Sequence, residues 1–408
     1  MAPDLTLLSW CLGEVRQSLA QTESQLDAAL ANGDSAASAL GSAKASLHQA
    51  HGALQLVSVD GVSQLTQQAE ALIDAMQAAE VPLDDARVQA LRRTFHAVLE
   101  YCEGLLHQQM PQPLLLFPYY RDLLAARGTE RAQPSDLFFP DLSIRPPASQ
   151  LPVGEDDPQL LAHARSLFER GLLTLMRSPQ SDGVQSMQDA VAMVCASRLA
   201  SRHRGFWWVA QALFDSLADA SLPVDVDVKR LLARFNLQLR KLMLQQFEPD
   251  ERLLVEMLFL LAHVAHPNEA CREVRRVYRL DDAIPADYET ARYDPLDPRL
   301  LADAQAALEQ CHQTLEALAR GNLADLTAFA QAIDAFVLLC ERIPAEGLRA
   351  LAKAFTQVRQ VLLARQTVPA ENIALDIATA ILFAEQAIAD GRSPVPSMIC
   401  VAPTWPRA

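Results

Sequence analysis

From Leu5 to about Gln108 the apolar residues return every three or four positions, in four runs separated by short breaks. That period belongs to one face of an α-helix and to no strand. The first run covers residues 5–30, with Leu8, Leu19, Leu26 and Leu30 on one side. Asn32-Gly33-Asp34 breaks it with turn and cap residues. The second covers residues 35–56, where Ala43, Leu47, Ala50 and Leu54 form the inner stripe. After the break at Ser58–Gly61, residues 62–78 form the third around Leu65, Ala69 and Leu72. Pro82 to Asp85 start the fourth, with Asp84/Asp85 as its cap and Val88, Leu91, Phe95 and Val98 inside. Four helices with short links predict an antiparallel bundle.

The pattern recurs further along. Helices are expected at 159–176, 184–199, 204–219, 224–245, 249–264 and from Glu269 to Leu280. Four more are expected at 298–320, 322–341, 345–364 and 368–389, with Asn322 as a cap and Pro344 and Pro369 at helix starts, where a missing amide donor costs nothing. Between the first bundle and the middle block, nine prolines fall from Pro111 to Pro158, yet Leu114–Leu124 and Leu137–Phe139 are strongly apolar. A free linker would not carry them, so the segment is expected to lie over a bundle surface, with Pro146–Asp157 as a boundary. The chain thus divides into 1–108, an insert at 109–157, a middle helical domain at 158–297, a second bundle at 298–390, and a tail at 391–408 expected to be disordered. In Phe206-Trp207-Trp208, one indole is expected in a core and the other in an inter-helix contact.

The formal charge of −15 argues against a nucleic-acid binder. Helix 224–245 runs against that trend, with Lys229, Arg230, Arg234, Arg240 and Lys241. It reads as a solvated face or, alternatively, as a docking face for an acidic partner. Seven widely spaced cysteines form no CxxC pair, which suits a reducing compartment. The start Met-Ala-Pro-Asp lacks a basic region before an apolar run, and Leu253–Val264 is too short to span a bilayer. The expectation is a cytoplasmic protein with no membrane span and no cofactor. No GxxxxGK[ST], GxGxxG or GxSxG is present, so the chain carries no ATP site that could phosphorylate a histidine of its own.

The one candidate for chemistry is His48-Gln49-Ala50-His51-Gly52. A neutral imidazole is nucleophilic near neutrality and can accept a phosphoryl group. Such a transfer needs positive charge one turn away and space beside the ring. Lys44 lies one turn before His48 as electrostatic support, and Gly52 removes bulk one turn after it. The competing reading is a surface histidine with no chemistry.

Residues 47–72, from Leu-His-Gln-Ala-His-Gly to Gln-Gln-Ala-Glu-Ala-Leu, resemble the core of a histidine phosphotransfer (HPt) domain. More narrowly, they resemble the first such domain of the CheA-like hybrid histidine kinases that control type IV pili and twitching motility. Trp10–Ser18 fits the first helix of that region, Leu114–Gly128 and Leu137–Leu142 its insert, and Trp207–Leu213 with Val228–Leu242 the block that follows. A related pilus regulator with degenerate phosphotransfer-like domains and no kinase core is similar over the same span. The resemblance implies an all-α fold of tandem antiparallel HPt-like bundles. It places the phosphoacceptor of a His-x-x-Lys-Gly motif on His48, the lysine position on His51 and the glycine on Gly52. The bundle at 298–390 has Ile333-Asp334-Ala335-Phe336 where a histidine would stand, and so would be inactive.

The implied function is exchange of a phosphoryl group between His48 and the aspartate of a response-regulator receiver domain. The alternative is a non-enzymatic helical scaffold that docks pilus regulatory or polar-hub proteins. The resemblance leaves open recruitment to the cell pole and membership of a longer kinase polypeptide.

Overall fold

The computed structural model describes residues 5–31, 35–129, 132–145, 158–178, 182–197, 200, 203–244, 246–294, 298–320, 325–342, 346–365 and 371–389. The turn at Asn32–Asp34, the boundary Pro146–Asp157, Asn322, Pro344, Pro369 and the tail lie outside these residues. All regular structure among the described residues is helical. The chain forms two compact units, Met1–Tyr293 and Asp294–Ala408.

The first unit begins with α1 (Leu5–Ala31), α2 (Ala36–Val57), α3 (Val62–Gln77) and α4 (Asp85–Leu106). Long-range pairs set their directions. Arg16 is paired with Glu103, and Asp27 with Arg92, so α1 and α4 run antiparallel. The expected cap is in place, since Asp84 accepts a hydrogen bond from the Arg87 amide at 2.9 Å. At the α2–α3 corner Gly61 has φ +84°, and a Cβ there would lie 2.8 Å from Pro113 Cβ. Only glycine meets both demands.

The described part of the proline-rich insert packs on the first bundle, and its apolar side chains join the core. Pro113–Leu116 is a 3-10 turn that runs into α5 (Phe117–Arg127). Pro118 stands in the first turn of α5, where it is tolerated. Leu114, Leu116, Tyr119 and Leu123 are buried, and α5 packs on both α3 and α4. Arg93 binds Asp122 at 2.9 Å, and Arg127 donates to Gln68 Oε1 at 2.7 Å.

The middle block contains α6 (Pro158–Arg177), α7 (Gly183–Cys195), α8 (Arg204–Ala218), α9 (Val226–Met243), α10 (Glu251–His263) and α11 (Glu269–Tyr278). Asp225, Asp250 and Asn268 cap α9, α10 and α11 through side-chain oxygens, each satisfying an amide that helix geometry orphans. Phe168 of α6 meets Phe214 and Phe235, both at 5.6 Å between ring centres. Trp207 is fully buried among Phe206, Phe235 and Phe247. Trp208 stacks on Tyr278 of α11 at 6.3 Å, so the two indoles take the two expected roles. Buried apolar residues from Leu8 to Leu280 form one continuous cluster. The expected divisions near 108 and 157 therefore do not interrupt this core, because the insert's apolar side chains bridge its two sides.

The second unit contains α12 (Pro298–Ala319), α13 (Asp325–Arg342), α14 (Glu346–Arg365) and α15 (Glu371–Ala389). α12 packs on α13 and α15, and α13 on α14. Its core includes Leu308, Leu315, Phe329, Ile333, Phe336, Phe355 and Ile381. Ile333 and Phe336 point inward, while Asp334 pairs with Arg359 at 2.9 Å. No helix among the described residues is long and apolar enough to cross a membrane.

Candidate functional site

Lys44, His48 and His51 stand four and three residues apart on α2, on the side that meets α3. Thr66, Glu70 and Asp74 stand at intervals of four on α3. The two rows pair in opposite order. Lys44 Nζ lies 2.6 Å from Asp74 Oδ1, His48 Nδ1 lies 3.1 Å from Glu70 Oε1, and His51 Nδ1 lies 2.6 Å from Thr66 Oγ1. This three-rung ladder sets the antiparallel register of α2 and α3.

Burial grades the rungs. His51 is 8% exposed, and its ring is fixed by a hydroxyl that itself donates to the Val62 carbonyl at 3.0 Å. A buried imidazole with a satisfied nitrogen is a core element. The His48 side chain is 72% exposed, beside a Glu70 carboxylate that is only 16% exposed. His48 thus reaches solvent, as its sequence position predicts. Its electrostatic setting differs from the expectation. A phosphoryl group carries negative charge, whereas the group bound at Nδ1 of this ring is the Glu70 carboxylate. Lys44, the expected support, is already held by Asp74.

Gly52 is open, since a Cβ built there meets nothing within 4 Å. No internal packing therefore requires glycine at this point of α2. Gly52→Ala is expected to stabilise the first unit by about 0.8–1 kcal/mol, the helix-propensity difference. A raised urea midpoint at unchanged slope would show it.

Other chemistry finds little support. Burial pushes the thiols of Cys102, Cys195, Cys311 and Cys340 up to about 12, so none supplies thiolate near neutrality. Among the described residues, no group of three or more His, Cys, Asp or Glu could hold a metal ion. A half-open cleft of about 690 Å³ is walled by Phe117, Leu231, Phe259, His263 and Tyr288.

One cluster escaped the sequence reading. Glu256, 7% exposed, pairs with Arg234 and, at 3.5 Å, with Arg252. Arg252 reaches Asp136 at 3.1 Å, and Asp136 accepts from Tyr120 at 3.2 Å. This chain of charges ties the insert to α9 and α10. Glu256 sits four residues after Arg252 on α10, which was a weak local signal; Arg234, 22 positions from Glu256, and Asp136, 116 positions from Arg252, left none.

Comparison with known proteins adds the following. The family model described as FimL scaffold protein second domain matches residues 153–291. The Pseudomonas aeruginosa protein named scaffold protein FimL is 26% identical over 296 residues, covering 69% of this chain and 51% of that protein. The chain thus spans about half the length of the curated relative it matches. No solved structure matches, so the architecture stands as all-α helical bundles, with the narrower HPt type not shown by any structural likeness. The expectation of a phosphorelay, HPt or histidine-kinase module that passes phosphate from His48 to a receiver domain is overturned. The matched relative is a scaffold protein, and no metal-holding group accompanies the histidine among the described residues.

Proposed function

We propose that this chain is a non-enzymatic helical scaffold that docks pilus regulatory or polar-hub proteins. The observation that carries the reading is the similarity to a protein named as a scaffold, which extends over 69% of the chain. The ladder between α2 and α3 supports it, because the residues expected to do chemistry hold two helices in register. The pilus assignment follows from the resemblance carried by residues 47–72, the insert and the block after it, and it favours the kinase-less relative among the proteins resembled.

The test is affinity capture with the full chain as bait in lysate of a piliated bacterium, with captured proteins identified by mass spectrometry. A pilus regulatory or polar-hub protein is expected above a charge-matched control, at equal yield with the wild type and with His48→Gln. Capture lost with His48→Gln, or no such protein above the control, would overturn the reading.

A further inference from the structure

One face of α9 remains unexplained by the fold. Its inner side is committed, because Val228, Leu231, Leu232, Phe235, Leu239 and Leu242 are buried. Its outer side carries Val226 at 56% exposure and Leu237 at 53%, with Leu244 just past the helix end at 56%. Arg230, Arg240 and Lys241 stand between them, also exposed. The order 226, 230, 237, 241, 244 advances by four, seven, four and three, so these side chains share one stripe. At 1.5 Å per residue it is about 27 Å long.

The charges on this stripe are only partly used within the fold. Arg234, at its edge, is held by Glu256, and Arg230 lies 3.6 Å from Asp227. Lys229, Arg240 and Lys241 form no ion pair with any described residue. The favourable field at a helix C-terminus accounts for cations at Arg240 and Lys241. It does not account for Leu237 and Leu244 left exposed beside them. Nor does overall composition, since the chain carries a formal charge of −15.

We propose that the outer face of α9 docks an acidic amphipathic helix of a partner protein. Leucine-like side chains of that helix would cover Val226, Leu237 and Leu244, and its carboxylates would meet Arg230, Arg240 and Lys241. Charge complementarity selects the partner's sign, and the narrow stripe selects its shape, because a helix laid along another offers anchors at three- and four-residue spacing. An anionic membrane fits less well. A helix lying in a bilayer interface inserts a broad apolar face, and the broad apolar face of α9 is already buried in the protein. This inference rests on the scaffold reading and gives it a surface.

The probe is a fluorescein-labelled 18-residue helix with leucines at three- and four-residue spacing and glutamates between them, titrated with the full chain and read by anisotropy. Saturable binding is expected, weakened by raising salt from 50 to 300 mM and absent for the same peptide with lysines in place of glutamates. Arg240→Glu with Lys241→Glu, and separately Leu237→Ser, should each weaken it at least tenfold while circular dichroism melts stay unchanged. No saturable binding, equal binding by the lysine peptide, or binding unaltered in both variants would overturn the proposal. So would sedimentation with phosphatidylcholine/phosphatidylglycerol vesicles that these same substitutions abolish. If the variants still capture the pilus or hub protein from lysate, this face is refuted and the scaffold reading stands. If the wild type captures none, the scaffold reading itself fails.

Discussion

Gly171→Val is expected to destabilise the first unit by about 3 kcal/mol or more, the upper end of overpacking costs. Gly171 on α6 and Gly183 at the start of α7 face each other. A Cβ on Gly171 would lie 2.6 Å from the Gly183 carbonyl oxygen and 2.9 Å from Met187 Cγ. A Cβ on Gly183 would lie 2.5 Å from the Gly171 oxygen. These obstacles are mostly backbone, which cannot swing aside as a side-chain tip can. Helices α6 and α7 would have to separate, and the buried layer of Phe168, Met187 and Val191 would loosen with them. The measurement is the urea midpoint followed by far-UV circular dichroism. Gly52→Ala, in the open position on α2, is the control of opposite sign. Equal and small shifts for both variants would show that the contact between α6 and α7 is not close.

Trp207→Ala should cost a comparable or larger amount, about 3–5 kcal/mol for deletion of a buried aromatic. The indole is fully buried and lies between 5.2 and 5.7 Å from the rings of Phe206, Phe235 and Phe247. Removing it leaves a cavity whose walls are themselves rings held by several helices, so the site cannot collapse readily. Trp207 Nε1 meets no hydrogen-bond partner among the described residues, and an unpaired buried donor costs about 1–3 kcal/mol. Trp207→Phe removes that donor and keeps most of the ring. Its loss should be less than half that of the alanine variant. A phenylalanine variant as unstable as the alanine one would mean that the indole's size, and not its aromatic packing, dominates.

The opposite signs expected at Gly52 and Gly171 show where reading a sequence stops. Both are glycines in helical patterns with apolar neighbours. Gly52 drew attention because it stood beside a histidine, and a Cβ there would meet nothing. Gly171 drew none, and another backbone presses against it. The difference depends on what lies across the gap, and no local pattern records that. The same holds for His51. Its place in the motif pointed to chemistry, whereas burial against Thr66 makes it part of the α2–α3 seam. The insert is a third case. Its prolines read as an irregular covering segment, yet residues 117–127 form α5 against α3 and α4, because a proline in a first turn interrupts nothing.

What the sequence by itself determined was the helical class and the place of nearly every helix. Asp84, Asp225, Asp250 and Asn268 cap within three residues of themselves, and apolar stripes repeat within two turns. Such information is local, so it survives in the linear text. It also marked α9 as the basic helix. Only the tertiary structure decided which faces met. It placed Glu70 beside His48, set Glu256 among three elements, joined buried residues from Leu8 to Leu280 in one core, and left the outer stripe of α9 open. Those outcomes turn on pairs distant in sequence, whose meeting depends on the packing of every helix between them.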